Sequence, residues 1–322
     1  MKIFIIIVLI AAVIMAYMLF MTPYFAAKLI RTVFEKTEHS PPPDYEQISQ
    51  SVIVYNDVAY PSEYGSNVLD IYLPKNADQM LKSLIWTHGG GYVGGDKRET
   101  KYFAASLAAK GYAVVSLNYD RAPQANYPAP LIQLGEVYDF IKSENPYHLD
   151  ATQLVYGGSS AGAHCAAQFI AIQSSKEYAD LIGIKQTVPL EDIKAVLLYC
   201  GPYDYEIFGT QSSSCLMNFM MGRAMWAYFG TRDWGRLYGQ LTTLKYHVTS
   251  EFPPTFITDG NTGSFESDGK ELEQTLRNLG VSVGSYYIDV NNETIGHEYQ
   301  YDMHTPAGKT VFYYTIKFLE KH

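Results

Sequence analysis

Cysteine is scarce in this chain of 322 residues, which contains only three of them. Cys165, Cys200 and Cys215 form no CxxC pair, so neither a zinc site nor a disulfide framework is expected, although a single disulfide stays open. Basic residues are also few: 24 Lys and Arg face 33 Asp and Glu, which gives a net charge of −9. Because phosphate backbones bind to basic surfaces, nucleic acid is not an expected partner.

Internal repeats and low-complexity tracts are also absent from the sequence, and the phosphate-binding pattern GxxxxGK[ST] does not occur. These absences exclude repeat arrays and P-loop enzymes, and no metal or organic cofactor is expected. The chain is long enough for one large domain with a well-buried core once its N-terminal segment is set aside.

That N-terminal segment is an apolar run without any charge from Ile3 to Met21. At about 1.5 Å per residue, a helix of this length spans a hydrocarbon core of ~30 Å. Residues 1–27 are therefore predicted to be a transmembrane anchor, or an uncleaved signal, and residues 28–50 a linker. A single N-terminal anchor usually leaves the following domain outside, so we expect an extracytoplasmic domain, although the flanking charges are nearly balanced.

Strand-like and helix-like segments alternate over residues 51–322, which is typical of a mostly parallel sheet with helices on both faces. The predicted strands are residues 68–73, 84–87, 112–118, 153–156, 195–199, 255–258 and 281–288. The predicted helices are residues 100–110, 129–143, 160–173, 267–279 and 307–319. Residues 203–250 break this rhythm and are rich in apolar side chains, so we interpret them as a helical cap inserted over the site.

A GxSxG pattern occurs at Gly158-Ser159-Ser160-Ala161-Gly162, between a predicted strand and a predicted helix. This context is typical of a nucleophile elbow, a tight turn that presents a serine at the start of a helix. The glycines are needed because a Cβ at either position would crowd the neighbouring backbone. The pattern therefore predicts Ser160 as a nucleophile, against the alternative of an ordinary glycine-rich turn.

Three consecutive glycines lie in the segment HGGGY at residues 88–92, directly after the predicted strand that ends at Thr87. Without side chains in the way, their backbone N–H groups can point into a cavity and stabilise an oxyanion. His88 itself is expected to support the loop and not to act as a base.

With both motifs in view, the chain resembles the hormone-sensitive-lipase-like, carboxylesterase branch of the α/β-hydrolase superfamily over about residues 50–320. The segment NYDRAP at 118–123, followed by YPA at 127–129, is similar to that family's Tyr-Arg-x-Ala-Pro…Pro-Ala segment, with Asp120 as an intrusion. The resemblance implies an α/β-hydrolase fold, with Gly90, Gly91 and Ala161 as the oxyanion donors. It also implies that an acid and then a histidine follow Ser160 along the chain.

The general base is expected in the loop after the last predicted strand. His297 and His304 both qualify by position, and His297 is preferred because it follows that strand more closely. His164 lies on the helix after Ser160 and is more consistent with a packed side chain.

The acid departs from the family pattern, because Gly263 occupies the position where the resemblance implies an aspartate. Asp259 is the preferred substitute, since it lies at the carboxyl end of the strand 255–258, although it could equally serve a strand-end turn. Glu266 in the following loop is the alternative acid. Asp268 fits a helix N-terminus, and Asp204 is a more distant candidate.

These residues predict a serine hydrolase that cleaves carboxylic esters through a Ser160–His297–acid mechanism. Its expected partners are a small-molecule ester and, through the N-terminal helix, a membrane. Two alternatives stay open. A serine peptidase or amidase would use the same machinery, and a hydrolase fold without its acid could be a membrane-tethered binding protein.

Overall fold

The computed structural model describes residues 2–34, 39–143, 146–210 and 214–322. Residues 35–38 of the predicted linker and 211–213 of the predicted cap therefore lie outside the described residues. Eight strands form one sheet: β1 (Val52–Ala59), β2 (Val68–Pro74), β3 (Leu81–Thr87), β4 (Ala113–Leu117), β5 (Leu149–Ser159), β6 (Ile193–Tyr199), β7 (Thr255–Thr258) and β8 (Val283–Tyr286).

The strand order across the sheet is β1-β2-β4-β3-β5-β6-β7-β8. β2 pairs with β1 and with β4 in antiparallel fashion, and every pair from β4 to β8 is parallel. The predicted mostly parallel sheet is thus confirmed, with β2 running opposite to the other strands. The edge strand β1 is one that the sequence pattern did not single out.

The described part of the chain contains eleven α-helices. They are α1 (Lys2–Met21), α2 (Tyr24–Phe34), α3 (Tyr45–Ser51), α4 (Lys101–Ala108), α5 (Ala129–Ser143), α6 (Ala161–Ser174), α7 (Lys176–Ile182), α8 (Cys215–Phe229), α9 (Trp234–Thr242), α10 (Glu266–Asn278) and α11 (Pro306–Lys321). Helices cover both faces because the central strands are apolar on both sides. Leu84 and Val114 belong to one buried cluster, whereas their neighbours Ile85 and Val115 belong to the other.

The sheet brings the carboxyl ends of four strands together at one edge. Its registers align Thr87 with Gly158, Ser159 with Tyr199, and Tyr199 with Thr258. The loops that follow β3, β5, β6 and β7 therefore start side by side. In open α/β sheets this edge is where sites form, because several loops can contribute side chains to one cleft.

The insertion between β6 and β7 is helical, as predicted, and contains α8 and α9. Its aromatic residues pack on the loop that follows β3. Tyr228 from α8 stacks on Tyr92 at a ring-centroid distance of 3.9 Å, and the Tyr205 hydroxyl is hydrogen-bonded to the Tyr92 hydroxyl. The insertion is thereby attached directly to the glycine loop.

The N-terminal segment differs from the prediction of a single transmembrane anchor over residues 1–27. The chain bends at Thr22 and Pro23 and continues as α2, in which Ala26, Ala27 and Ile30 are buried against the domain. Among the described helices, none has both the length and the apolar content required to cross a membrane, so the predicted span is not supported.

Candidate active site

Ser160 occupies the sharp turn between β5 and α6, with a φ of 52°. Its backbone N–H donates to the Tyr199 carbonyl at 2.8 Å, which ties the turn to β6. A Cβ on Gly158 would lie 2.5 Å from the carbonyl carbon of Gly162, and one on Gly162 would overlap the Thr87 carbonyl oxygen. The turn therefore requires glycine at both positions, as the elbow pattern predicts.

A buried chain of hydrogen bonds supports this turn from behind. The Trp86 indole N–H donates to the Tyr301 hydroxyl at 2.9 Å, and Tyr301 donates to the Ser159 hydroxyl at 3.0 Å. Trp86 lies near the end of β3 and Tyr301 near the C-terminus, so two distant parts of the sequence hold Ser159, the residue next to Ser160.

The glycine loop lies against Ser160. An added Cβ on Gly89 would come within 3.1 Å of the Ser160 Cβ. Gly90 and Gly91 have φ values of 106° and 58°, and a Cβ on Gly90 would overlap the Gly94 carbonyl group. The predicted oxyanion donors Gly90 and Gly91 thus lie in a loop that only glycine can form, and Ala161 is the first residue of α6.

His88 supports this loop. Its Nδ1–H donates to the Gly89 carbonyl at 2.7 Å, and its ring stacks on Tyr119 at a centroid distance of 4.4 Å. Burial lowers the pKa of His88 to about 4, so the ring is neutral at pH 7. These contacts agree with the structural role expected for His88.

His297 is brought to Ser160 across 137 residues of sequence. Its Nε2 lies 2.9 Å from the Ser160 Oγ, within hydrogen-bond distance. Burial lowers the pKa of His297, while the Glu298 carboxylate acts in the opposite direction. His304 is exposed, and His164 is buried between the Tyr92 hydroxyl and the Thr242 carbonyl.

Asp259 reaches His297 through a serine that sequence reasoning missed. The Ser264 Oγ lies 2.7 Å from the His297 Nδ1, and the same hydroxyl is hydrogen-bonded to the Asp259 Oδ1. A single serine in a loop belongs to no sequence pattern that would predict it as a site residue. The nearest signal is its position, one residue after Gly263, where the family acid is missing.

The environment of Asp259 disfavours its charge. Burial raises the pKa of Asp259 to about 7, although hydrogen bonds from Ser264, Cys200 and backbone N–H groups oppose that effect. Cys200 itself is buried, and its donor atom lies within 4.8 Å of those of Asp259 and His297. This spacing follows from the hydrogen bonds that join Cys200 and Ser264 to Asp259 and Ser264 to His297.

The other candidate acids have different partners. Glu266 forms an ion pair with Lys270 at 2.8 Å on the first turn of α10, and Asp204 forms one with Lys245 at 2.7 Å. Asp268 accepts hydrogen bonds from the backbone N–H groups of the loop after β6. Each of these three carboxylates thus has a partner other than His297.

Aromatic side chains line the site next to the histidine. The ring of Phe265 meets the edge of the His297 ring at a centroid distance of 5.6 Å, and Phe208 stacks on Phe265 at 5.8 Å. The wall that they form is apolar and stands beside the predicted base.

All three cysteines lie in the described part of the chain and are free thiols: Cys165 and Cys200 are buried, and Cys215 is exposed. The disulfide that the sequence left open is therefore not formed. Burial raises the pKa of Cys165 to about 12, which keeps its thiol protonated and makes it a packing residue.

Comparison with known proteins agrees with this architecture. Residues 69–265, more than half of the chain, match the family model described as BD-FAE. An esterase of Gibberella moniliformis is 26% identical over 222 residues, which cover 68% of this chain and 69% of that protein. An acetyl esterase of Salmonella schwarzengrund is 25% identical over 227 residues, 68% of this chain and 66% of that protein.

Solved structures share the fold at lower identity. The structure of an inhibited esterase B from Lactobacillus rhamnosis superposes with a TM-score of 0.75 and 18% identity, and the match covers 90% of this chain and 91% of that one. From the family model, the sheet and the curated relatives together, the chain belongs to the BD-FAE family and is a carboxylic ester hydrolase with the α/β-hydrolase fold.

Proposed function

We propose that the chain hydrolyses small carboxylic esters by two-step acyl transfer, with Ser160 as nucleophile, His297 as general base and Asp259 as acid. The observation that carries this proposal is the 2.9 Å contact between the Ser160 Oγ and the His297 Nε2 in a strained turn at the start of a helix.

In the first step His297 takes the proton of Ser160 as the oxygen attacks the ester carbonyl. The oxyanion is stabilised by the backbone N–H groups of Gly90, Gly91 and Ala161, and the N-terminus of α6 adds a favourable dipole. His297 then gives its proton to the leaving alcohol. In the second step His297 deprotonates a water, which attacks the acyl-enzyme. The bond to Ser160 then breaks, the carboxylic acid is released, and His297 returns the proton to the Ser160 oxygen.

The aromatic wall favours an uncharged acyl or aryl group. Phe265 presents apolar surface beside His297, and the buried Phe208 stacks on it, so a charged substituent there would lose its hydration without a partner. The acetyl esterase among the relatives supports a short acyl group. We therefore propose short-chain acyl esters, aryl acetates among them, as the substrates.

Fluorophosphonate labelling of the full chain tests this proposal, since only an activated serine reacts. We expect wild type and Ser174→Ala to be labelled and to hydrolyse p-nitrophenyl acetate. Ser174 lies at the far end of α6, so it is a matched control. Ser160→Ala should lose the label and lower kcat by at least ~10³-fold. A labelled Ser160→Ala protein would contradict the assignment.

Parallel assays separate the esterase from the two alternative readings. Cleavage of p-nitrophenyl acetate without cleavage of a matched p-nitroanilide supports an esterase, and the reverse supports an amidase or peptidase. A folded protein that neither reacts with fluorophosphonate nor turns over either substrate would instead be a binding protein.

We also propose that α1 attaches the enzyme to a membrane, with the hydrolase domain on the extracytoplasmic side. The support is the exposure of large apolar side chains along α1, for example Ile3 at 76% and Val13 at 68%.

Flotation with phosphatidylcholine vesicles tests this attachment. The full chain should float with the vesicles, and a chain that lacks residues 1–22 should stay behind with its ester hydrolysis intact. Equal flotation of the two proteins would overturn the role of α1. Protease digestion of intact cells tests the side, since an extracytoplasmic domain is cleaved without lysis.

A further inference from the structure

The acid and the base of the site are joined by a hydroxyl group. Ser264 is hydrogen-bonded to the Asp259 Oδ1 on one side and lies 2.7 Å from the His297 Nδ1 on the other. We propose that Ser264 is a positioning residue that transmits the protonation state of Asp259 to His297 and thereby selects the imidazole tautomer. This inference rests on the proposed function of Ser160 and His297.

The proton positions follow from the reaction. For the His297 Nε2 to accept the proton of Ser160, the Nδ1 must carry the ring hydrogen. That Nδ1–H then donates to the Ser264 Oγ, and the hydroxyl of Ser264 donates to the Asp259 carboxylate. One hydroxyl can do both, because it has one proton to give and lone pairs to accept.

The same chain of hydrogen bonds can run in reverse. If Asp259 is protonated, its O–H donates to the Ser264 Oγ, and the Ser264 hydroxyl donates to the His297 Nδ1. The ring hydrogen then sits on Nε2, where it blocks transfer from Ser160. No bond between heavy atoms changes, and the number of protons in the chain rises by the one bound to Asp259.

The other groups that face Asp259 from the neighbouring loops are neutral near pH 7, because burial raises their pKa above the usual range. They are Cys200 and Tyr203 after β6 and Tyr287 after β8. Burial lowers the pKa of His297, and the Glu298 carboxylate that faces the ring acts in the opposite direction. Since burial also raises the pKa of Asp259 to about 7, the carboxyl group changes state in the range where the enzyme would work.

Ser267 provides a matched control. It lies three residues further along the same segment, and its hydroxyl donates to Asp268 and not to the histidine. A general effect of losing a serine hydroxyl here should appear in Ser267→Ala, whereas a relay should appear only in Ser264→Ala.

The experiment is a double-mutant cycle on the full chain, with kcat/KM for p-nitrophenyl acetate measured from pH 5 to 9. We expect Ser264→Ala to lower kcat/KM by roughly 10²-fold, the scale of lost hydrogen bonds to a charged group. Asp259→Asn should add little once Ser264 is gone, because its carboxylate no longer reaches His297. The acid limb should also move to lower pH in Ser264→Ala, where His297 alone titrates.

Multiplicative losses in the cycle, or a Ser264→Ala profile that matches wild type, would overturn the relay. If Ser264→Ala does not fold, Ser264→Thr and Ser264→Val form an equivalent pair, because they share a shape and differ in the hydroxyl. Retained activity in the valine variant would overturn the proposal, and retention in the threonine variant alone supports it. Failure of the proposed function is distinguishable, since wild type itself would then show no fluorophosphonate labelling.

Discussion

The two halves of the site are built in different ways. Around Ser160 and the glycine loop, geometry is imposed by backbone: Gly158, Gly162 and Gly90 leave no room for a Cβ. Around His297, the predicted acid and base are joined by a side chain: Ser264 lies between Asp259 and His297, and a Cβ on Gly263 would have no neighbour within 4 Å. The glycine positions around Ser160 therefore accept no other residue, whereas the loop that holds Asp259 and Ser264 can place the same chemical groups in a different arrangement.

The largest effect should come from the acid in the side-chain half. We expect Asp259→Asn to lower kcat by ~10⁴-fold with the fold intact, the scale seen when a triad aspartate is made neutral. Glu266→Gln is the matched control and should be nearly silent, because Glu266 is paired with Lys270. Steady-state kinetics with p-nitrophenyl acetate distinguish the two. The reverse ranking would move the acid to Glu266.

Next in size is a substitution in the backbone half. Gly90→Ala places a Cβ on the Gly94 carbonyl at a φ of 106° and should distort the predicted oxyanion donors. Loss of one such donor lowers kcat by ~10²–10³-fold. Gly111→Ala is the control, because Gly111 has a φ of 98° but open space around it. Equal kinetic losses in both variants would mean that φ strain alone matters.

A third prediction concerns stability and tests whether the buried charge of Asp259 lowers the free energy of unfolding. The pKa of Asp259 is raised from 3.8 to about 7 in the folded chain, so the native state binds a proton that the unfolded state has lost. The free energy of unfolding therefore falls as pH rises from about 4 to about 7. The full cost is on the order of 4 kcal/mol.

Thermal melting of wild type and Asp259→Asn at pH 5 and pH 8 checks this sign. The variant removes the buried charge, so its gain in Tm over wild type should be larger at pH 8 than at pH 5. A gain that does not change with pH would show that the pKa of Asp259 is not raised in the folded protein, so that its carboxyl group is already charged at pH 5.

The smallest effect should come from the contact between α2 and the loops of the site. The guanidinium group of Arg31 donates to the Val93 carbonyl at 2.5 Å and to the Ala122 carbonyl at 2.9 Å. Arg31→Ala should lower the free energy of unfolding by about 1–3 kcal/mol and change kcat/KM by less than about tenfold, since no reacting group is touched. The exposed Lys28, on the same helix, provides a control in Lys28→Ala. A larger kinetic loss would make α2 part of the site.

The same comparison explains which features the sequence alone could predict. GxSxG and HGGG are visible because backbone crowding forces glycine at Gly158, Gly162 and Gly90. Strands such as residues 195–199 in β6 are visible because burial on both faces requires an unbroken apolar run. The order Ser160 before His297 follows from the order of the strands.

Other features leave no such pattern. Ser264 contributes one hydroxyl in a loop, and no spacing rule ties it to Asp259 and His297. The apolar content of the N-terminal run predicts a membrane anchor, but it does not report the bend at Pro23 or the burial of Ala27. Both cases depend on contacts between residues far apart in the chain, which periodicity cannot encode.

The strand order also has a consequence for synthesis. Ser160 and the glycine loop belong to the first half of the chain, while His297 lies in the last tenth. Since ribosomes release the N-terminal part first, a growing chain carries the nucleophile for a long interval without its base. With His297 as the proposed base, a growing chain becomes able to cleave esters only when the C-terminal loop and α11 have emerged and docked.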